Sequence, residues 1–153
     1  MKNIRYKKIL FCTDFSDSSD YAFEFAHDLA VKNKGILFIM HVIPENPSLD
    51  FLAGRISWED LKKLQKGIEK DAKTKCIDSY IKKIKDDVKF RIMIASGRED
   101  IEIINCANKK KVDIIVMGTH GRTGIGHVIF GSVAEKVLRH SMFPILIIPG
   151  SKD

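Results

Sequence analysis

A chain of 153 residues, 44% hydrophobic and 30% charged, has the size and composition of one globular unit, able to bury roughly 70% of its unfolded surface without disulfides or structural metal. Its formal charge of +6 invites a nucleic-acid reading, but Lys62, Lys63, Lys66, Lys70, Lys82, Lys83 and Lys109 to Lys111 alternate with acidic residues and lack interleaved aromatic stacking platforms, so no nucleic-acid partner is expected. No apolar run approaches the ~20 residues of a membrane span, and the opening Met1-Lys-Asn-Ile-Arg-Tyr-Lys-Lys is unlike a secretory leader, so the reading is cytoplasmic, with no membrane partner.

The first element is a short buried strand, Ile9-Leu-Phe-Cys12, followed by a polar turn holding Asp14 and Ser16. Ser16 is placed to cap a helix whose positive end Asp17 and Asp20 complement, and whose inward face reads as Ala22, Phe25, Ala26, Leu29 and Ala30, up to Gly35. Ile36 to Ile43 is a second buried strand, stopped by Pro44 and Pro47, with His41 and Val42 at its carboxyl end. Residues 44 to 56 read as a loop. Ser57-Trp-Glu-Asp60 opens the longest helix, with Leu61, Leu64, Ile68, Ala72, Cys76, Tyr80 and Ile84 on one face.

Val88 to Ala95 alternates polar and apolar residues as an edge strand does, and a helix with Ile101, Ile104 and Ala107 inward follows the turn Ser96-Gly97. Val112 to Met117 is a strand buried on both faces, and it leads into Gly118-Thr-His-Gly121-Arg-Thr-Gly124-Ile-Gly126-His-Val-Ile-Phe-Gly131-Ser132. A helix over 132–141 turns Val133, Val137 and Leu138 inward, and Pro144 to Pro149 is a last strand whose two prolines suit an edge. Five strands alternating with four helices predict one α/β domain over 1–153, a doubly wound parallel sheet with helices on both faces, whose strands could be ordered as in flavodoxin or as 3-2-1-4-5. Cys12, Cys76 and Cys106, odd in number and in apolar surroundings, read as buried thiols.

Chemistry concentrates in the glycine-rich loop. Glycines let backbone amides approach an anion, and the helix start behind them carries unpaired N–H groups and a positive partial charge. Ser132 with Glu135 fits a Ser-x-x-Glu capping box, so the Ser132 hydroxyl is free to cap the helix, touch a phosphate, or alternate between the two. No Gly-Lys-Ser/Thr P-loop occurs, and Gly124 and Gly126 lack the third glycine of a dinucleotide fingerprint because Ile129 stands there.

Gly118-x-x-Gly121, nine residues, then Gly131-Ser132, together with Cys12-Thr13-Asp14-Phe15-Ser16 after the first strand, resembles the universal stress protein family in its ATP-binding branch. The resemblance covers essentially the whole chain and implies strand order 3-2-1-4-5, which brings the amino-terminal turn to the same crevice as the glycine loop. It places Thr13, Asp14 and Val42 around adenine and its sugar, Met117 and Gly118 along base and ribose, and Gly121, Gly131, Ser132 and Val133 around the phosphates. Mg²⁺ is then carried mainly by the phosphates, with Asp14 nearby. Arg122 is a candidate partner for a γ-phosphate, while His120 and His127 read as capping or packing residues. Cys12 and Ala134 depart from the family pattern, which often has an apolar residue or proline and a hydroxyl residue there. The resemblance further implies a homodimer through the carboxyl-terminal strand. The favoured function is a nucleotide-dependent switch or signalling module in the stress response. The alternatives are a slow ATP hydrolase, a nucleotidyltransferase on a similar sheet, and a nucleotide-free interaction protein.

Overall fold

The computed structural model describes residues 4–85, 87–119 and 131–150, with backbone alone at 49 and 50. Its elements are β1 (Lys8–Cys12), α1 (Asp17–Asn33), β2 (Ile36–Pro44), α2 (Pro47–Ala53), α3 (Trp58–Ser79), a 3-10 turn (Ile81–Lys83), β3 (Lys89–Gly97), α4 (Glu99–Lys110), β4 (Ile114–Gly118), α5 (Ser132–His140) and β5 (Ile145–Ile148). The five strands form one parallel sheet in the order β3-β2-β1-β4-β5, the order the family resemblance implies rather than that of flavodoxin.

Alternate residues of each central strand face opposite helical layers, so β1 is apolar without a break. Ile9 and Phe11 pack with Ala22, Phe23, Ala26 and Tyr80 on the α1–α3 side, while Leu10 and Cys12 pack with Ile103, Cys106 and Val137 on the α4–α5 side. Right-handed crossovers produce this partition. Steps from β1 outward to β3 lay helices on one face, and the return from β3 to β4 and β5 lays them on the other. Asp113 ties the two central strands together at their start, accepting from the N–H groups of Lys7 (2.7 Å) and Lys8 (2.8 Å).

Several local expectations are corrected. The span 44–56 is not all loop: Asn46 accepts from Ser48 N–H at 3.0 Å and Pro47 supplies a preset φ, so a helix of 7 residues forms. The inward faces are also rotated. Phe25, Leu64, Ile101 and Leu138 are exposed, and Phe23, Ile103, Cys106 and Ala134 are buried instead. On α4 the buried stripe is Asp100, Ile103, Cys106 and Ala107, turned by about one position from the expected 101, 104, 107. The caps of α1 and α3 form as read: Ser16 accepts from Ser19 N–H at 3.3 Å, and Ser57 from Asp60 N–H at 3.1 Å. No helix among the described residues is long and apolar enough to cross a membrane.

Candidate functional site

β1 and β4 are neighbours, and their crossovers leave in opposite directions, so a crevice opens above their carboxyl ends. It is a cavity of about 390 Å³, within the range of small-molecule sites. Thr13, Asp14, Val42, Met117, Gly118, Gly131, Ser132 and Val133 all line it, so two stretches more than a hundred residues apart meet there. Gly121 and Arg122, with His120, Gly124, Gly126 and His127, lie outside the described residues.

Met40, Val42, Pro44, Ile103 and Met117 give the cavity an apolar lining. β2 runs past the end of β1: Cys12 is opposite Met40, and the last link is Thr13 N–H to Met40 O at 2.9 Å. Residues 36, 38, 40 and 42 turn their backbone groups toward β1, as Ile36 N–H to Lys7 O at 2.8 Å shows. The N–H and C=O of Val42 therefore aim past the end of β1 into the crevice.

The start of α5 also lines the cavity. Gly131 is its N-cap, with φ −67° and ψ 153°, and, having no side chain, supplies no cap of its own. The expected Ser132–Glu135 capping box is absent. Ser132 is the first helical residue rather than the cap, and Glu135 is held by Arg139 at 2.7 Å on the exposed side. Ser16 and Ser57 satisfy the first turns of α1 and α3, and acids fill the first turn of α4. The amino end of α5 thus presents N–H groups to the cavity, where a helix favours an anion. Gly131 N–H is anchored to Thr119 O at 2.5 Å, and Thr119 N–H to Ile148 O at 2.9 Å, which fixes the cap against β5.

The amino-terminal turn is held from within. Asp14 Oδ1 accepts from the backbone N–H of Ser16 at 3.0 Å and from its hydroxyl at 2.6 Å. Phe15 has φ +62°, a left-handed conformation rare for a bulky side chain and costing on the order of 1–3 kcal/mol. Gly118 is required on the opposite face. A Cβ there meets Ser18 Oγ at 2.4 Å and the Ser18 backbone at 2.9 Å, so the glycine admits α1 against β4.

Sequence reading missed Glu99 and Ile103, which line the cavity from α4. The signal was present in the strand order. A crossover from edge strand β3 back to β4 must carry the start of α4 over the end of β2. Cys12 also lines the cavity, and burial, with a smaller contribution from Cys106, pushes its thiol well above the usual range. It is a packed thiol rather than a nucleophile. For a metal, the cavity offers the carboxylates of Asp14 and Glu99, and no group of three or more potential ligands occurs among the described residues. That donor set suits an ion arriving with phosphates more than a dedicated protein cage.

A sequence model described as the universal stress protein family matches residues 5–149. The chain belongs to the universal stress protein family. Universal stress protein MJ0531 of Methanocaldococcus jannaschii is 34% identical over 149 residues, covering 96% of this chain and 84% of the relative. Universal stress protein MJ0577 of the same organism is 31% identical over 156 residues, covering 95% and 96%. Its solved structure superposes with a TM-score of 0.84 at 29% identity, covering 98% of this chain and 100% of that one, in a study assigning a biochemical function from structure. A universal stress protein solved in complex with cAMP shares the fold, with a TM-score of 0.62 at 22% identity over 97% of this chain and 100% of that one.

Proposed function

We propose that this universal stress protein binds an adenine nucleotide, ATP with Mg²⁺, in the β1–β4 crevice and acts as a nucleotide-dependent switch in the stress response. The observation that carries the reading is the pairing, in one cavity, of an apolar lining edged by the Val42 backbone with the glycine-capped start of α5. The lining suits a purine: Met40, Ile103 and Met117 supply apolar surface, and the Val42 amide and carbonyl match the acceptor and donor along the adenine edge. The α5 start suits phosphates, with Gly131, Ser132 and Val133 as the cradle, Gly121 assigned to the same end by the family pattern, and Arg122 the candidate partner of a γ-phosphate. Met117 and Gly118 run between the two ends, along the ribose. Thr13 and Asp14 close the base and sugar side. An adenine nucleotide is the ligand of one protein of this fold, solved with cAMP.

Mg²⁺ is carried by the phosphates, with Asp14 and Glu99 as the cavity's carboxylates. The whole chain works as one cytoplasmic domain. Among the described residues β5 has a partner on one side only, and that edge serves a homodimer in which two copies join their carboxyl-terminal strands.

Calorimetric titration with MgATP and with AMP tests the reading, followed by a phosphate-release assay. Saturable heat with negligible phosphate release supports a binding module. Release that depends on Gly131 supports a hydrolase instead, and no heat from either nucleotide rejects nucleotide binding.

A further inference from the structure

Thr13 stands at the mouth of the cavity, yet all its polar groups are engaged inside the protein. Its N–H donates to Met40 O at 2.9 Å, and its carbonyl lies 2.8 Å from Nδ1 of His41. A carbonyl only accepts, so Nδ1 carries the ring proton. Thr13 Oγ1 accepts from the N–H of Phe15 at 2.9 Å and lies 2.5 Å from the Tyr80 hydroxyl and 3.1 Å from Ser19 Oγ. Tyr80 in turn donates to Asp20 Oδ1 at 2.7 Å. The phenol has one proton and Asp20 receives it, so in the short contact Thr13 is the donor. A directed chain results, from Phe15 N–H through Thr13 and Tyr80 to the Asp20 carboxylate.

Tyr80 does not line the cavity. It lies just past the carboxyl end of α3, on the other face of the sheet, with 0% of its surface exposed. Its ring packs edge-on against Phe11 at 5.2 Å and nearly parallel to Phe15 at 6.2 Å. The Phe15 ring also meets His41 at 4.5 Å and the Lys75 ammonium of α3 at 4.5 Å. The one left-handed residue of the turn is therefore clamped from β2 and α3 together.

Resting on the nucleotide reading above, we propose that Tyr80 is a positioning residue for the ligand: its hydroxyl, reaching Thr13 across 67 residues of chain, locks the Thr13–Ser16 turn in the conformation that closes the base and sugar side. Without that anchor the turn relaxes from its left-handed residue, and only the locked fraction binds. Linkage requires the reverse effect as well: bound nucleotide protects the end of α3.

Tyr80→Phe keeps the ring and deletes one oxygen, and Thr13→Val removes the same bond from the other end together with the acceptor of the Phe15 N–H. Calorimetry on folded Tyr80→Phe should show affinity for MgATP and for AMP reduced by about tenfold and equally, because the turn serves the base and sugar rather than the phosphates. The Tyr80→Phe, Thr13→Val double variant should lose less than the sum of the single losses, and Thr13→Ser should restore binding. Amide exchange at Phe15 and Ser16 should accelerate in Tyr80→Phe. Affinity within twofold of wild type, or strictly additive losses, overturns the proposal. If wild type binds neither nucleotide, the reading above fails and exchange alone decides: wild-type protection of Phe15 in Tyr80→Phe overturns the lock. Should Tyr80→Phe not fold, wild-type exchange decides instead: bound MgATP should slow exchange of the Tyr80 amide, and unchanged exchange there overturns the proposal.

Discussion

Gly118→Ala separates packing from ligand contact at a glycine that the family pattern places along the ligand. Residues 114 and 116 of β4 face the α1 layer, and residues 115 and 117 face α4 and α5; Gly118 therefore points at α1. The added methyl sits 2.4 Å from Ser18 Oγ and 2.9 Å from both the carbonyl carbon and oxygen of Ser18, against ordinary contacts of about 3.5–4.0 Å. The first turn of α1 must retreat by about an ångström, and overpacking of that kind costs about 1–3 kcal/mol. For a chain of this length, 2 kcal/mol lowers Tm by roughly 4–8 °C. Ser18→Ala removes only the hydroxyl oxygen and leaves both backbone contacts. In a double-mutant cycle, judged against Ser18→Ala alone, it should therefore recover only part of the loss. Thermal and denaturant unfolding measure this. Gly118→Ala within 0.5 kcal/mol of wild type, or full rescue by Ser18→Ala, refutes the packing argument.

Other outcomes follow from the same geometry. Gly131→Val crowds the N-cap of α5 and should weaken MgATP at least about tenfold while affecting adenosine far less, since the amides there face phosphate; equal losses in calorimetry contradict that division. Burial pushes the Cys76 thiol up to about 11, whereas an unfolded thiol titrates near about 8.5. The unfolded chain thus loses its proton first. This source of stability is whole below about pH 8.5 and falls as pH rises toward 11, by at most about 1.4 kcal/mol per pH unit. Denaturant unfolding at pH 8 and pH 10 should therefore show wild type losing more stability than Cys76→Ala, and equal losses contradict the assignment. The carbonyls of Pro144 and Ile148 pair with β4, so the backbone of Ile147 faces outward. Ile147→Pro should convert a dimer to a monomer in light scattering while leaving the β4–β5 ladder, and an unchanged dimer removes β5 from the interface.

What was legible in the sequence was whatever depends on an unbroken apolar run or a glycine at a bend. Ile9 to Cys12, Ile36 to Ile43 and Ile114 to Met117 could hardly be anything but central strands, whereas their order came only with the family resemblance, since the alternation of elements also allows the flavodoxin order. Helix phase was less legible, because Ile101 and Ile103 are equally apolar and only the approach of α4 to the sheet chooses between them. Ser132 misled for a related reason. A Ser-x-x-Glu pattern is a cap only if serine precedes the first helical residue, and Gly131 takes that place. Glu99 escaped because it contributes through a crossover rather than a strand end. Thr13 was found, but its hydroxyl belongs to Tyr80, a partner that no local pattern around residue 13 indicates.

A crystal of this protein soaked in MgATP is the most direct test of the central claim. The account predicts a purine in the slot between Val42 and Met117, with its edge on the Val42 backbone and its phosphates over Gly131 and Ser132. Density for the nucleotide elsewhere, or a crevice left empty at saturating MgATP, would contradict it.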